Sequence, residues 1–131
     1  LARSSSGFPF KVESMSLAAV LHLILHILVP GLVARIFFLP DWRRAWTIML
    51  ITMLVDADHL LATPIYDPDR CSIGFHPLHT LPVIAIYMGL TLLPRTRLIG
   101  LGLMLHMLLD FSDCAVQRGF SDALSRLLGT G

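Results

Sequence analysis

Charge is what this sequence has least of: 15% of its 131 residues are Asp, Glu, Lys or Arg, against 55% hydrophobic ones, and the mean hydropathy is +0.73. A soluble domain of this length carries more charge, so the composition points to one domain of an integral membrane protein. Cysteine is almost missing. Two residues, Cys71 and Cys114, exclude a disulfide-built scaffold but suffice for one bridge. No basic stripe interleaved with aromatics occurs, which excludes nucleic acid as a partner. The net charge of +1 marks no other partner, and no internal repeat is visible.

What is present is a series of long apolar runs. Leu1 to Ser14 differs from them, being polar and flexible at its start. It reads as a disordered, non-native leader (residues 1–14), with Met15 as the native start. The run after Met15 is too long for a signal-peptide core and has no cleavage site, so it is expected to stay in the mature chain. Leu17 to Leu39 is a first span of bilayer length. It carries His22 and His26, and Pro30-Gly31 inside it predicts a kinked or loosened helix. Trp42 and Trp46 follow at interface positions. Ala45 to about Ala62 is a second span, ending in Val55-Asp56-Ala57-Asp58-His59-Leu60.

Thr63 to Phe75, broken by Pro64, Pro68 and Gly74, is the longest non-helical piece. His76-Pro77-Leu78-His79 closes it and opens a third span that runs to Leu93. Pro94-Arg95-Thr96-Arg97 is a tight cationic turn, and Leu98 to about Phe111 is a fourth span carrying His106 and Asp110. In the tail, 115–131, Val116, Phe120, Leu124, Leu127 and Leu128 fall at near-helical spacing, as an amphipathic interface helix or a frayed end. The expected fold class is all-α: an integral membrane four-helix up-down bundle over 15–114, with that tail behind it.

Arg35, Arg43 and Arg44 flank the first connection, and Arg95 and Arg97 form the third. The positive-inside rule puts both in the cytoplasm. The termini and the 63–75 loop then face the other side, expected to be the periplasm of a bacterial inner membrane. Under this orientation, which used arginines alone, all six histidines and the embedded aspartates fall in one leaflet. A charge there costs roughly 2.5–3.5 kcal/mol on insertion scales, so the cluster needs a reason. His22 and His26 share a face at i, i+4, and Asp56 and His59 share one at i, i+3, with Asp58 pointing roughly the other way. Imidazole plus carboxylate is the ligand set of zinc, iron or manganese. The donors exceed what one zinc needs, so two ions, or one ion with supporting groups, would use them. The plainer readings are histidines bonded to neighbouring helices and an Asp56–His59 ion pair. Cys71 and Cys114 share the outer face, as a disulfide, two free thiols or a thiolate ligand.

The runs Met53-Leu-Val-Asp-Ala-Asp-His-Leu60, Arg70-Cys-Ser-Ile-Gly-Phe-His-Pro-Leu-His79 and His106-Met-Leu-Leu-Asp110 resemble DUF6122, a family of small bacterial membrane proteins of unknown function. The order of motifs is more distantly similar to the YdjM-like inner-membrane metal-dependent hydrolases. That resemblance aligns Asp56, Asp58 and His59 with an Asp-x-Asp-His element, His79-Thr80 with part of a His-Ser/Thr element, and His106 with Asp110 with a His-x-x-x-Asp element. The His76-Pro-Leu-His79 spacing departs from the family's longer one.

The expectation is a membrane-embedded metal-dependent hydrolase acting on a lipid ester or phosphodiester at headgroup depth. One or two divalent transition-metal ions, zinc foremost, would be held by His59, His79, His106, Asp56 and Asp110, with His22, His26 and His76 next and Asp58 as general base. The alternative is a non-catalytic membrane protein that binds a divalent metal for structure, sensing or transport. Polar groups thin out toward the cytoplasmic half, where Thr47, Thr52 and Thr91 remain, which argues against full passage of an ion.

Overall fold

A computed structural model describes residues 16–131, so the leader expected over 1–14 lies outside the described residues. Ser16 opens the fold: its hydroxyl accepts the Ala19 amide at 3.2 Å and caps α1, Leu17–Phe37. This helix is apolar on every side. It buries only His26, Pro30 and Ala34, a row at i, i+4, i+8, and leaves Leu21, Leu25, Leu28 and Leu32 exposed. It runs through Pro30 without a break. The expected disturbance takes the form of a notch at Gly31, where the Trp46 indole donates to the Ile27 carbonyl at 3.0 Å; a Cβ on residue 31 would stand 3.1 Å from that nitrogen.

α2, Trp42–Ile51, does not continue as the α-helical second span expected from sequence. It tightens into a 3-10 helix over Thr52–Leu61. The Thr52 hydroxyl donates to the Met49 carbonyl at 2.5 Å, a side-chain bond that competes with the α-helical pattern. Three residues per turn then set the burial: Thr52, Val55 and Asp58 form the buried row, and Asp56 and His59 share the next one. α4 comes close here because residue 102 is glycine, where a Cβ would stand 2.9 Å from Met49 Cα.

After the loop and a 3-10 turn, Pro77–His79, come α3, Leu81–Leu92, α4, Arg97–Arg118, and α5, Phe120–Leu127. α4 is the axis and packs against α1, α2, α3 and α5. It extends to Arg118 instead of stopping near Phe111, so His106 and Asp110 sit in mid-helix and not in its last turns. Gly119, at φ 93°, ends it. The tail is therefore ordered: Ala123 of α5 is buried against Cys71 and Cys114, and Asp122 pairs with Arg126 at 2.8 Å.

Those cysteines are bonded, with Cα atoms 5.2 Å apart, and tie the long loop to α4. Arg118 donates to the Asp69 carbonyl, and Gly74, at φ 76°, lies against the Arg126 backbone where no side chain would fit. Among the described residues the fold is all-α, with no strand and five α-helices. Two of them, α1 and α4, are long and apolar enough to cross a membrane.

Candidate metal centre

α1, the 3-10 helix, the 77–79 turn and α4 deliver polar side chains to the same place. Pro77, with its fixed φ, starts the 3-10 turn that carries His79. The turn is held from both sides: the His79 amide donates to the His76 carbonyl at 2.9 Å, and the Tyr87 hydroxyl of α3 donates to the Leu78 carbonyl at 3.1 Å. His79 is thereby fully buried. The 3-10 helix supplies Asp56, and α4 supplies His106 and Asp110 one turn apart.

Four atoms converge. His79 Nε2 lies 3.4 Å from His106 Nε2, 3.4 Å from Asp56 Oδ1 and 3.2 Å from Asp110 Oδ2. His106 Nε2 lies 3.1 Å from Asp56 Oδ1 and 3.4 Å from Asp110 Oδ2. Ligands at ~2.0–2.1 Å around a tetrahedral ion stand about 3.3–3.4 Å from one another, so the spacing is that of a zinc-type shell. The proton inventory agrees. Asp58 Oδ2 accepts from His79 Nδ1 at 3.2 Å, which leaves Nε2 of the neutral ring as a lone pair within 3.4 Å of two carboxylate oxygens and of His106 Nε2. Asp110 Oδ2 is buried without a hydrogen bond. His106 Nε2 can donate to Asp56 or to His79, but nothing donates to Asp110 Oδ2, and a cation within the shell would satisfy it.

The other oxygen of Asp110 faces α1. Oδ1 lies 3.1 Å from His22 Nε2 and 3.3 Å from His26 Nε2, and these three residues form a second group able to hold an ion. Asp113, one turn beyond Asp110, comes within 3.9 Å of His22 Nδ1.

The remaining predicted residues sit one layer out. His59, expected among the core ligands, has both ring nitrogens engaged elsewhere. Nδ1 lies 3.2 Å from Asp58 and 3.4 Å from Asp56, and Nε2 lies 3.1 Å from the Ser72 hydroxyl. His76 stacks on the His59 ring with centroids 3.7 Å apart, and Asp58, His59 and His76 make a third, looser group. Burial, and next the neighbouring His59 imidazole, push the His76 ring down to about 4. Asp58 does not point away from the site as α-helical geometry predicts, because the 3-10 winding turns it inward to His79. It is no free base either: Oδ1 meets His59, and Oδ2 accepts both His79 and the Leu78 amide, the latter at 2.8 Å. Ser72, the Leu78 amide and Tyr87 carried no signal in the sequence, since a loop serine and a backbone amide have no recognisable spacing.

Above the centre a cavity of about 620 Å³ opens between the start of α1 and the loop. Its walls include His22, Asp56, His59, Asp110 and Asp113, with Tyr66 among the apolar ones.

The chain belongs to DUF6122, described as a family of unknown function, whose model matches residues 16–117. Comparison with curated proteins and with solved structures returns no match.

Proposed function

We propose that this protein is a membrane-embedded, metal-dependent hydrolase whose His/Asp centre lies toward the periplasmic face of a bacterial inner membrane. The observation that carries the reading is the four-atom shell of Asp56, His79, His106 and Asp110, spaced for one divalent ion, zinc foremost. Such an ion supplies Lewis-acid polarisation of the scissile bond and an activated water. Asp58 orients His79, as a carboxylate behind a ligating histidine does. Asp110 and Asp56 form the floor of a cavity wide enough for a lipid headgroup, and Leu23, Ile65 and Tyr66 give it apolar walls. This supports a lipid ester or phosphodiester as substrate. The resemblance of its motif order to that of the YdjM-like hydrolases would favour the same class of reaction.

The membrane setting is supported by apolar side chains that face outward on every long segment. Leu28 is 59% exposed, Leu54 74%, Ile86 61% and Leu108 59%. Exposure on that scale marks contact with lipid or another protein. α1, α2 with its 3-10 extension, α3 and α4 would be the four spans, with α5 at the interface. Leu98, Phe38 and Trp42 pack against one cluster of Ala34, Ala45 and Met49, which gathers the ends bearing Arg35, Arg43, Arg44, Arg95 and Arg97; these would face the cytoplasm. The disulfide lies at the other end, and an oxidising periplasm would keep it.

One observation favours a second reading. A shell closed by four protein atoms suits a structural ion, and the protein would then bind a divalent metal without catalysis, for structure, sensing or transport. Elemental analysis of protein purified in detergent, without chelator or histidine tag, followed by assays on lipid esters and phosphodiesters, separates the two. Turnover that is lost with chelator and restored by metal is expected. Bound metal with no turnover would leave the structural reading, and no bound metal after reconstitution with zinc, manganese and iron would end both.

A further inference from the structure

The Asp110 carboxylate points its two oxygens at two different sets of imidazoles. Oδ2 completes the four-atom shell with His79, His106 and Asp56, and Oδ1 faces His22 and His26. Neither set uses the other's oxygen. His26 decides what the second set is for. Its Nδ1 lies 2.9 Å from the carbonyl of His22, four residues earlier in α1, and can only donate to it, so the neutral ring carries its proton there. Its Nε2 is then a lone pair. That nitrogen is buried, has no hydrogen-bond partner and lies 3.3 Å from an Asp110 oxygen that is itself an acceptor, without pointing straight at it. His22 can donate to Oδ1 and satisfy that oxygen, but nothing in such an arrangement satisfies His26 Nε2. A cation among the three atoms satisfies all of them at once.

We infer that the centre is dinuclear: Asp110 bridges two divalent transition-metal ions, and His22 and His26 hold the second. This rests on the metal reading above and divides the labour between the two positions. The first shell has four protein atoms and is closed. The second has three, which leaves a position open to solvent and substrate, the pattern of catalytic sites. His22 of the second set and Asp56 of the first both line the cavity, as does the shared Asp110, while His26, His79 and His106 do not, so both positions border it and the second differs in its open place. An ion held by the three-atom set would have the free position for an ester or phosphoryl oxygen, and one in the four-atom shell would fix the bridge and add to the positive charge beside it. Asp113 adds a carboxylate 3.9 Å from the far nitrogen of His22, too long for a hydrogen bond but close enough to favour a cation at this position.

The test is a titration of the full chain, stripped of metal in detergent, with Zn(II) and separately with Mn(II), read as ions bound per chain and by electron paramagnetic resonance. Two Mn(II) per chain with a spin-coupled spectrum is the expected result. His22→Ala/His26→Ala should retain one ion and an uncoupled spectrum. His26→Gln, closer in shape, serves if the double variant misfolds, with helicity and an intact Cys71–Cys114 bond as the folding control. A wild-type protein that binds one ion and loses it in His106→Ala would overturn the second site and leave the hydrolase centre standing. Two ions retained by the folded His22→Ala/His26→Ala protein would likewise overturn it. No ion in the wild type would overturn both proposals.

Discussion

Asp58 Oδ2 sits 3.2 Å from Nδ1 of His79, and the opposite nitrogen of the same ring sits 3.2 Å from Asp110 Oδ2. The imidazole is a rigid spacer between one carboxylate that fixes its tautomer and another that would share its ion. Asp58→Asn keeps the shape but turns an anionic acceptor into an amide, which weakens the basicity of Nε2 without removing a ligand. Metal affinity should fall ~10–100-fold, the usual effect of losing such a partner, as measured by competition with a chelator. Wild-type affinity in the variant would show that Asp58 does not support the centre.

Much of this was legible before any coordinates. Apolar run lengths gave the helices, and the arginine asymmetry alone put all the histidines at one end. What could not be read was the winding of residues 52–61. Hydrophobic spacing does not distinguish 3.0 from 3.6 residues per turn over ten residues, and that difference decides whether Asp58 points into the site or away from it. Nor does sequence show which partners each ring nitrogen finds: His59 lies against Asp58, Asp56 and Ser72, while His22 and His26 face Asp110. Sequence shows which residues can ligate, but ring nitrogens are claimed by whatever neighbour arrives first, here Ser72.

His59 and His79 therefore make a contrasting pair. His79→Ala removes an atom of the four-atom shell and should abolish the ion held there. His59→Ala removes a ring whose nitrogens face Ser72, Asp58 and Asp56 and should leave the number of bound ions unchanged. Elemental analysis of both variants checks this; the reverse pattern would exchange their assignments.

His76 gives the metal-free protein a pH dependence. Its ring is held at about 4 in the folded chain, against 6.5 for the ordinary imidazole. Between these values the unfolded chain binds a proton that the folded one refuses. Stability from this group is thus complete above about pH 6.5 and lost progressively as the pH falls toward 4. Replacing it isolates the effect from the nearby carboxylates: His76→Gln should flatten the difference between thermal midpoints at pH 7 and pH 5, measured in chelator. A slope equal to that of the wild type would mean that the ring is not held neutral.

The disulfide bears on the loop more than on the ions. Cys71 and Cys114 are 43 residues apart, so the bond removes a large loop from the unfolded ensemble, worth about 4 kcal/mol in the chain-entropy account. Its local effect is sharper. The segment it pins carries Ser72, bonded to His59, and Arg70, whose guanidinium donates to the Pro64 carbonyl at 2.8 Å and lies 4.8 Å from the Phe75 ring centre. The four-atom shell stands on the 3-10 helix, the 77–79 turn and α4; the bond ends on α4 at Cys114, one turn beyond Asp110, but supplies none of the four ligand atoms. Reduction, or Cys71→Ser, should lower the thermal midpoint and let trypsin cut after Arg70, while the ion between His79 and His106 stays bound. Cleavage after Arg70 at the same rate before and after reduction would show that the loop is held by its other contacts, to Arg118 and to the backbone of Arg126, and that the bond is not what keeps it over the cavity.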